Sequence, residues 1–221
     1  MKLKSFGCSF TYGSDLADCD IPEMGASQLT WPALLSHDLN YQYECYAWPG
    51  IGNLQIMNAV LEQCSLRDPA LFVINWTWLD RFDFMTPGTE YWNTLRPDGN
   101  TKQHRLYYKY FYNQYHTMLT NASYIKTTID VLKSQNIQFI MTSMDTTLFD
   151  VVDPSWHDPR SISFIQKQIK PHIVNFDNET FLNWAKKQGF PISETLHPLE
   201  AAHQAAFELI KPQFDAIRHK V

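Results

Sequence analysis

Ser9 sits between two glycines, in Gly7-Cys8-Ser9-Phe10-Thr11-Tyr12-Gly13, directly after the first apolar stretch of the chain. A serine hydroxyl is a weak nucleophile near neutral pH and needs a base within hydrogen-bond reach, most often a histidine. His197, in Glu194-Thr195-Leu196-His197-Pro198, is the candidate base, and Pro198 would fix it at a helix start. Glu194 lies three residues earlier, a spacing that in a turn sets a carboxylate against the imidazole. Asp145, Asp150 and Asp153 compete for that orienting role. Each residue also has a plain structural reading: a turn serine, a helix-capping histidine, a surface carboxylate. Cys8 offers a thiol beside Ser9, but no neighbouring group is evident that would lower its pKa.

These residues need a scaffold that gathers them. Short, continuous apolar runs recur at 2–7, 43–47, 70–75 and 137–143, with a weaker fifth at 172–176. Each is of strand length and ends at turn or polar residues; continuity rather than alternation marks strands buried on both faces. Helical patterns lie between them. One opens at Trp31-Pro32, with proline at a first helical position. Another follows Asn53 as N-cap. The longest is expected from about His104 to Ser134, carrying an apolar stripe from Phe111 through Tyr115, Met118, Ala122, Ile125 and Ile129 to Leu132. A further helix is expected between a cap at Asn178 and Gly189, and a last one from Pro198, interrupted at Pro212.

Strands alternating with helices imply a parallel sheet covered on both faces, in one domain. Ligands of such sheets bind beyond the carboxyl ends of the strands. Gly7-Cys8-Ser9, the stretch 48–53, the stretch 75–81 and the approach to the last helix at 194–203 would then meet at one edge. They bring a hydroxyl, glycine amides, polar side chains and a histidine, which is what acyl transfer requires.

Composition excludes several other classes. The 221 residues are 44% hydrophobic and 19% charged, with a net charge of −5, so disorder and a basic nucleic-acid footprint are both disfavoured. No apolar run approaches the ~20 residues of a membrane span. The N-terminus lacks the long apolar region of a secretory signal, so a cytoplasmic location is expected; a phage or virion protein would read the same. Cys8, Cys19, Cys45 and Cys64 match no zinc or redox spacing and are expected to be reduced.

Other features carry less. Gly50 and Gly52 lack the third glycine of a dinucleotide fingerprint. His157-Asp158 and His203 lack a third metal ligand at suitable spacing. Arg81, next to Asp80, serves either as a local ion pair or as a holder of an anionic substrate group. Residues 84–112 are dense in aromatic residues, proline and glycine, and are read either as a wall or lid over the site or as a surface excursion packed on the long helix.

At these blocks the sequence resembles the SGNH (GDSL-type) hydrolases. Gly7-Cys8-Ser9-Phe10-Thr11-Tyr12-Gly13 corresponds to the family's Gly-Asp-Ser block, with Cys8 for aspartate. Ala47-Trp48-Pro49-Gly50-Ile51-Gly52-Asn53 is similar to its second block, where a glycine amide, here Gly50, helps bind the oxyanion, with Asn53 nearby. Glu194-Thr195-Leu196-His197 stands where the family has Asp-x-x-His. The third block, Gly-x-Asn-Asp in the family, departs most: Asn75 stands at the glycine and Thr77 at the oxyanion-binding asparagine. The resemblance implies a three-layer α/β/α sandwich, flavodoxin-like, with a central parallel sheet of about five strands and an aromatic-rich excursion at 84–112 in a single domain, 1–221. It implies no metal or organic cofactor. The implied activity is a serine esterase acting on small O-acyl esters, carbohydrate O-acetyl groups first. Ser9, His197 and Glu194 would be catalytic, and Gly50, Thr77 or Asn75 would bind the oxyanion. The alternative is a weak or inactive member that binds glycans or a protein; a transferase using the same acyl-enzyme is a third. The natural substrate and oligomeric state stay open.

Overall fold

The computed structural model describes residues 1–19, 25–155 and 158–218. Along the chain run β1 (Lys2–Phe6), α1 (Ser9–Tyr12), α2 (Trp31–Asp38), β2 (Gln42–Cys45), α3 (Asn53–Ser65), β3 (Ala70–Trp76), β4 (Phe82–Met85), β5 (Trp92–Leu95), α4 (Lys102–Tyr110), α5 (Gln114–Ser134), β6 (Gln138–Ser143), α6 (Pro159–Ile169), α7 (Phe181–Lys187) and α8 (Glu200–Arg218). Four strands form a parallel sheet in the order β2-β1-β3-β6. The expected fifth strand at 172–176 is reduced to one parallel bridge, Met141 to Ile173, with the Val174 N–H on the Met141 carbonyl at 2.7 Å. A 3-10 turn at Lys170–His172 precedes it, and Asp177 and Asn178 at positive φ turn the chain away after it.

The central strand shows why the apolar runs are continuous. All seven residues of β3 are buried. Side chains alternate across a strand, so Phe72, Ile74 and Trp76 join one core with Ile56 and Val60 of α3, Ile125 and Ile129 of α5 and Ile162 of α6. Leu71 and Val73 join the other, with Trp31 and Leu35 of α2, Phe181 and Trp184 of α7, and Ala206 and Ile210 of α8. Each such side chain contributes roughly 1.5–3 kcal/mol on burial, which makes this strand the hinge of both cores. The result is a three-layer α/β/α arrangement.

Local structure differs from expectation at several caps. The stripe from Met118 to Leu132 is buried, but the long helix is broken. The Asn113 side chain accepts from the His116 N–H at 2.9 Å and starts α5 anew, leaving Phe111 outside and exposed. Thr180 rather than Asn178 caps α7, and Gly52 rather than Asn53 precedes α3. Pro212 lies within α8 without ending it. The segment 82–110 leaves the sheet as an antiparallel hairpin, β4-β5, followed by α4.

Candidate active site

The parallel sheet aims the ends of β1, β2 and β3 at one edge, where a cavity of about 570 Å³ opens. Ser9 is the first residue of α1, entered straight from β1. The Gly13 and Ser14 N–H groups close on the Ser9 carbonyl at 2.9 and 3.0 Å, which clamps the turn that carries the hydroxyl. Cys8 is fully buried among the apolar side chains beneath and is absent from the cavity wall.

His197 arrives from the far end of the chain. Its loop is closed by the Ser193 N–H on the His197 carbonyl at 2.9 Å and by the His197 N–H on the Ser193 hydroxyl at 3.0 Å. The ring packs on Phe10, centroids 4.9 Å apart. His197 Nε2 stands 2.8 Å from Ser9 Oγ, and Nδ1 stands 2.7 Å from Asp15 Oδ2. A carboxylate on Nδ1 holds the proton there and leaves Nε2 as acceptor for the serine O–H.

The carboxylate on the imidazole is therefore Asp15, not Glu194. Glu194 is exposed on the outer side of its turn. With Leu196 at φ +68°, the 193–197 turn directs Ser193, Thr195 and His197 together, all three onto Asp15 Oδ2. This turn sends the Glu194 side chain to solvent rather than onto the ring. Asp145, Asp150 and Asp153 are also elsewhere: Asp145 accepts from the Leu79 N–H at 2.8 Å and from Thr147, and Asp150 and Asp153 are exposed. Partial burial pushes the Asp15 carboxyl up, but hydrogen bonds from Ser193, Thr195 and His197 outweigh it and hold the pKa down to about 2. It is thus an anion throughout the neutral range. Asp15 adopts φ +71°, a region that aspartate tolerates better than most residues. The only clue in sequence was a carboxylate six residues past Ser9, in the turn leaving the same block.

The second block reaches the cavity through Pro49 and Gly50. Gly50 has φ +84°, so a side chain there would strain the turn. Asn53, expected near the oxyanion, faces inward. Its Oδ1 accepts from the Thr77 N–H at 2.8 Å, and its Nδ2 donates to the Thr77 carbonyl at 3.1 Å and to Asn121 at 2.8 Å. Every polar atom is committed, so Asn53 is a clamp between the second and third blocks.

The third-block expectations also fail on position. Asn75 belongs to β3, where its Oδ1 accepts from the Thr142 hydroxyl at 3.0 Å. Thr77 is fully buried, its hydroxyl without a partner. Neither lines the cavity; Trp78, Asp80 and Arg81 do. Asn53 draws the Thr77 backbone inward, which turns Trp78 to the wall instead.

The hairpin excursion buttresses the second block. Asp83 accepts from the Gly52 N–H at 2.9 Å, the Gln55 N–H at 3.0 Å, the Gln55 amide at 2.8 Å and the Thr94 hydroxyl at 2.7 Å. It serves as the N-terminal cap of α3 from a distant strand, and a Cβ on Gly52 would stand 2.6 Å from its Oδ2. Residues 96–98 of the excursion form part of the wall. Its aromatic rings do not: Phe82 stacks on Tyr107 at 4.5 Å, and the Tyr108 hydroxyl donates to the Asp80 and Leu95 carbonyls at 2.6 and 3.0 Å. The rings at the cavity are those of Phe10 and Trp78.

His203, the other histidine near the site, is buried, and its Nδ1 accepts from the Trp31 N–H at 3.1 Å. Burial, reinforced by nearby His197, lowers its pKa to about 3. His157 lies outside the described residues. Among the described residues no three His, Cys, Asp or Glu side chains are grouped to hold a metal, and no helix is long and apolar enough to cross a membrane.

The chain has the fold of the SGNH (GDSL-type) lipolytic proteins and esterases, three-layered with a hydroxyl-bearing turn after the first strand. It is similar to a member of the lipolytic G-D-S-L family from Veillonella parvula, at 12% identity over 96% of this chain and 97% of that one, with a TM-score of 0.53. The esterase EstA from Pseudoalteromonas aligns at 10% identity over 97% and 98%, also at 0.53. A carbohydrate esterase family 2 enzyme with a carbohydrate binding domain, from Corynascus thermopiles (Myceliophthora fergusii), aligns at 15% identity over 97% of this chain and 65% of that one, at 0.52. No protein-family profile matches the chain, and no curated protein matches it.

Proposed function

We propose that the protein is a serine esterase acting on small O-acyl esters, one domain over residues 1–221. The observation that carries this reading is the relay Ser9 Oγ to His197 Nε2 at 2.8 Å and His197 Nδ1 to Asp15 at 2.7 Å, at the rim of a cavity. Ser9 Oγ bonds to the ester carbonyl carbon as its proton passes to His197 Nε2. The tetrahedral oxyanion forms against the Ser9 and Gly50 N–H groups. Collapse breaks the bond to the alcohol oxygen, which takes the proton from His197, and leaves an acyl-serine. Water then gives its proton to His197 and attacks the acyl carbon; the bond to Ser9 Oγ breaks, Oγ takes the proton from His197, and the acid leaves. Asp15 keeps the ring in the productive tautomer and stabilises the imidazolium.

Carbohydrate O-acetyl esters are the first substrates to test. Support comes from the fold shared with a carbohydrate esterase and from the Trp78 and Phe10 faces at the cavity, on which a sugar or acyl group can pack.

One observation favours a second reading, a binding module with little turnover. The third-block side chains, Asn75 and Thr77, are withdrawn from the cavity, and a missing oxyanion donor costs about 10²–10³ in kcat. A fluorophosphonate probe, with the adduct mapped by mass spectrometry, separates the two. An adduct on Ser9, lost in Ser9→Ala and His197→Ala, is the expected result. No adduct on folded wild-type protein refutes the esterase and leaves the binding module.

A further inference from the structure

Arg81 is held in a fixed pose at the cavity that Ser9 and His197 share. One guanidinium nitrogen, NH1, donates to the Ile51 carbonyl at 2.7 Å, and the guanidinium carbon lies 4.8 Å from the centre of the Trp78 ring. These two contacts fix its plane and leave most of its five N–H donors unspent. Among the described residues no carboxylate forms an ion pair with it. Arg96 lines the same cavity, paired only loosely with exposed Asp98 at 3.5 Å.

Two carboxylates also line this wall, Asp98 and, next to Arg81 in the chain, Asp80. Burial raises the Asp80 pKa, and so does Asp145; together they outweigh the pull of Arg81. Two guanidinium groups on one cavity wall, neither in a tight ion pair, favour an anionic ligand there.

We propose that Arg81, with Arg96 beside it, binds a carboxylate on the substrate, so that the preferred esters are O-acyl esters of acidic sugars. The inference rests on the esterase reading for its reaction and on Arg81 for its selectivity. A planar carboxylate matches the guanidinium fork in two-point hydrogen bonding, whereas lysine would supply only a point charge. A sulfated sugar carries the same charge without the planar match.

The test compares acetylated glucuronic acid, acetylated glucose and acetylated glucose sulfate, following released acetate. In wild type, kcat/KM for the glucuronic acid ester exceeds that for the glucose ester by about tenfold or more. Arg81→Gln brings that ratio towards one; Arg81→Lys retains part of it; Arg96→Gln reduces it. A wild-type ratio near one overturns the proposal. So does a parallel loss on both esters in Arg81→Gln with the ratio kept, which would make Arg81 only a prop for the Ile51 turn. Preference for the sulfate over the carboxylate overturns the commitment to a carboxylate. Calorimetry on Ser9→Ala with the same esters separates selectivity from turnover. If wild type releases no acetate at all, the esterase reading fails. Tighter binding of the glucuronic acid ester, lost on adding Arg81→Gln, still upholds the anion site, and equal or absent binding sinks it.

Discussion

Replacing Asp15 by Asn tests which carboxylate serves His197. The perturbation is small in volume and removes one charge 2.7 Å from Nδ1. In the proposed reaction the imidazole becomes a cation, and a carboxylate ~4 Å from its charge centre stabilises it by about 4 kcal/mol at an effective dielectric of ~20, or about 1 kcal/mol in water. The Asp15 side chain is 34% exposed and that of His197 is 14% exposed, so the true environment lies between these limits. Roughly 2–3 kcal/mol follows, which is about 30- to 150-fold in kcat/KM. The Asn amide also offers an N–H to Nδ1 and so favours the wrong tautomer, which adds to the loss. The assay is hydrolysis of 4-nitrophenyl acetate, with the rate of fluorophosphonate labelling at Ser9 as a second readout. Glu194→Ala, at an exposed position, should stay within about twofold of wild type. Retention of activity within threefold in Asp15→Asn, or an equal loss in Glu194→Ala, would show that the reasoning from geometry is wrong.

Two further outcomes follow from buried groups. His203 has a folded pKa near 3 against an ordinary value of 6.5, so below pH 6.5 the unfolded chain binds a proton that the folded chain refuses. Stability is then full above pH 6.5 and falls as pH drops towards 3, by about 2–3 kcal/mol between pH 7 and pH 4.5. Urea denaturation across this range should show the slope, and His203→Gln, whose oxygen can still accept from Trp31, should flatten it; an unchanged slope argues against a buried neutral histidine. Asp83→Ala strips the cap from α3 and leaves buried donors unpaired, costing about 2–4 kcal/mol in urea denaturation. A loss below 1 kcal/mol would mean that the hairpin does not buttress the second block.

How much of this was legible depends on how local the cause was. The four sheet strands stood out because burial on both faces demands unbroken apolar runs such as Ala70–Trp76. Ser9 and His197 stood out because each sits in a short turn at a strand or helix boundary, where ligands of parallel sheets gather. The break at Asn113 was less visible, since the apolar stripe continues across it and only a capping side chain interrupts the helix. The aromatic excursion left two readings open, a wall or lid over the site and a surface excursion; its rings satisfy one another and carbonyls of the hairpin, and only residues 96–98 reach the cavity.

The amino-acid order by itself determined the layers, since strand and helix periodicities are set by neighbours in the chain. It also determined which turns carry the hydroxyl and the imidazole. Tertiary structure alone decided the partners. Asp15 meets His197 across 182 positions, Asn53 clamps Thr77 across 24, and Asp83 caps a helix that begins 30 residues before it. Hydrogen bonds between side chains are short-ranged and directional, so a spacing such as Glu194 to His197 says little until the backbone is placed. The 193–197 turn sends Glu194 to solvent and His197 inward, and the chain ends up using a carboxylate from the first block to orient a histidine from the last.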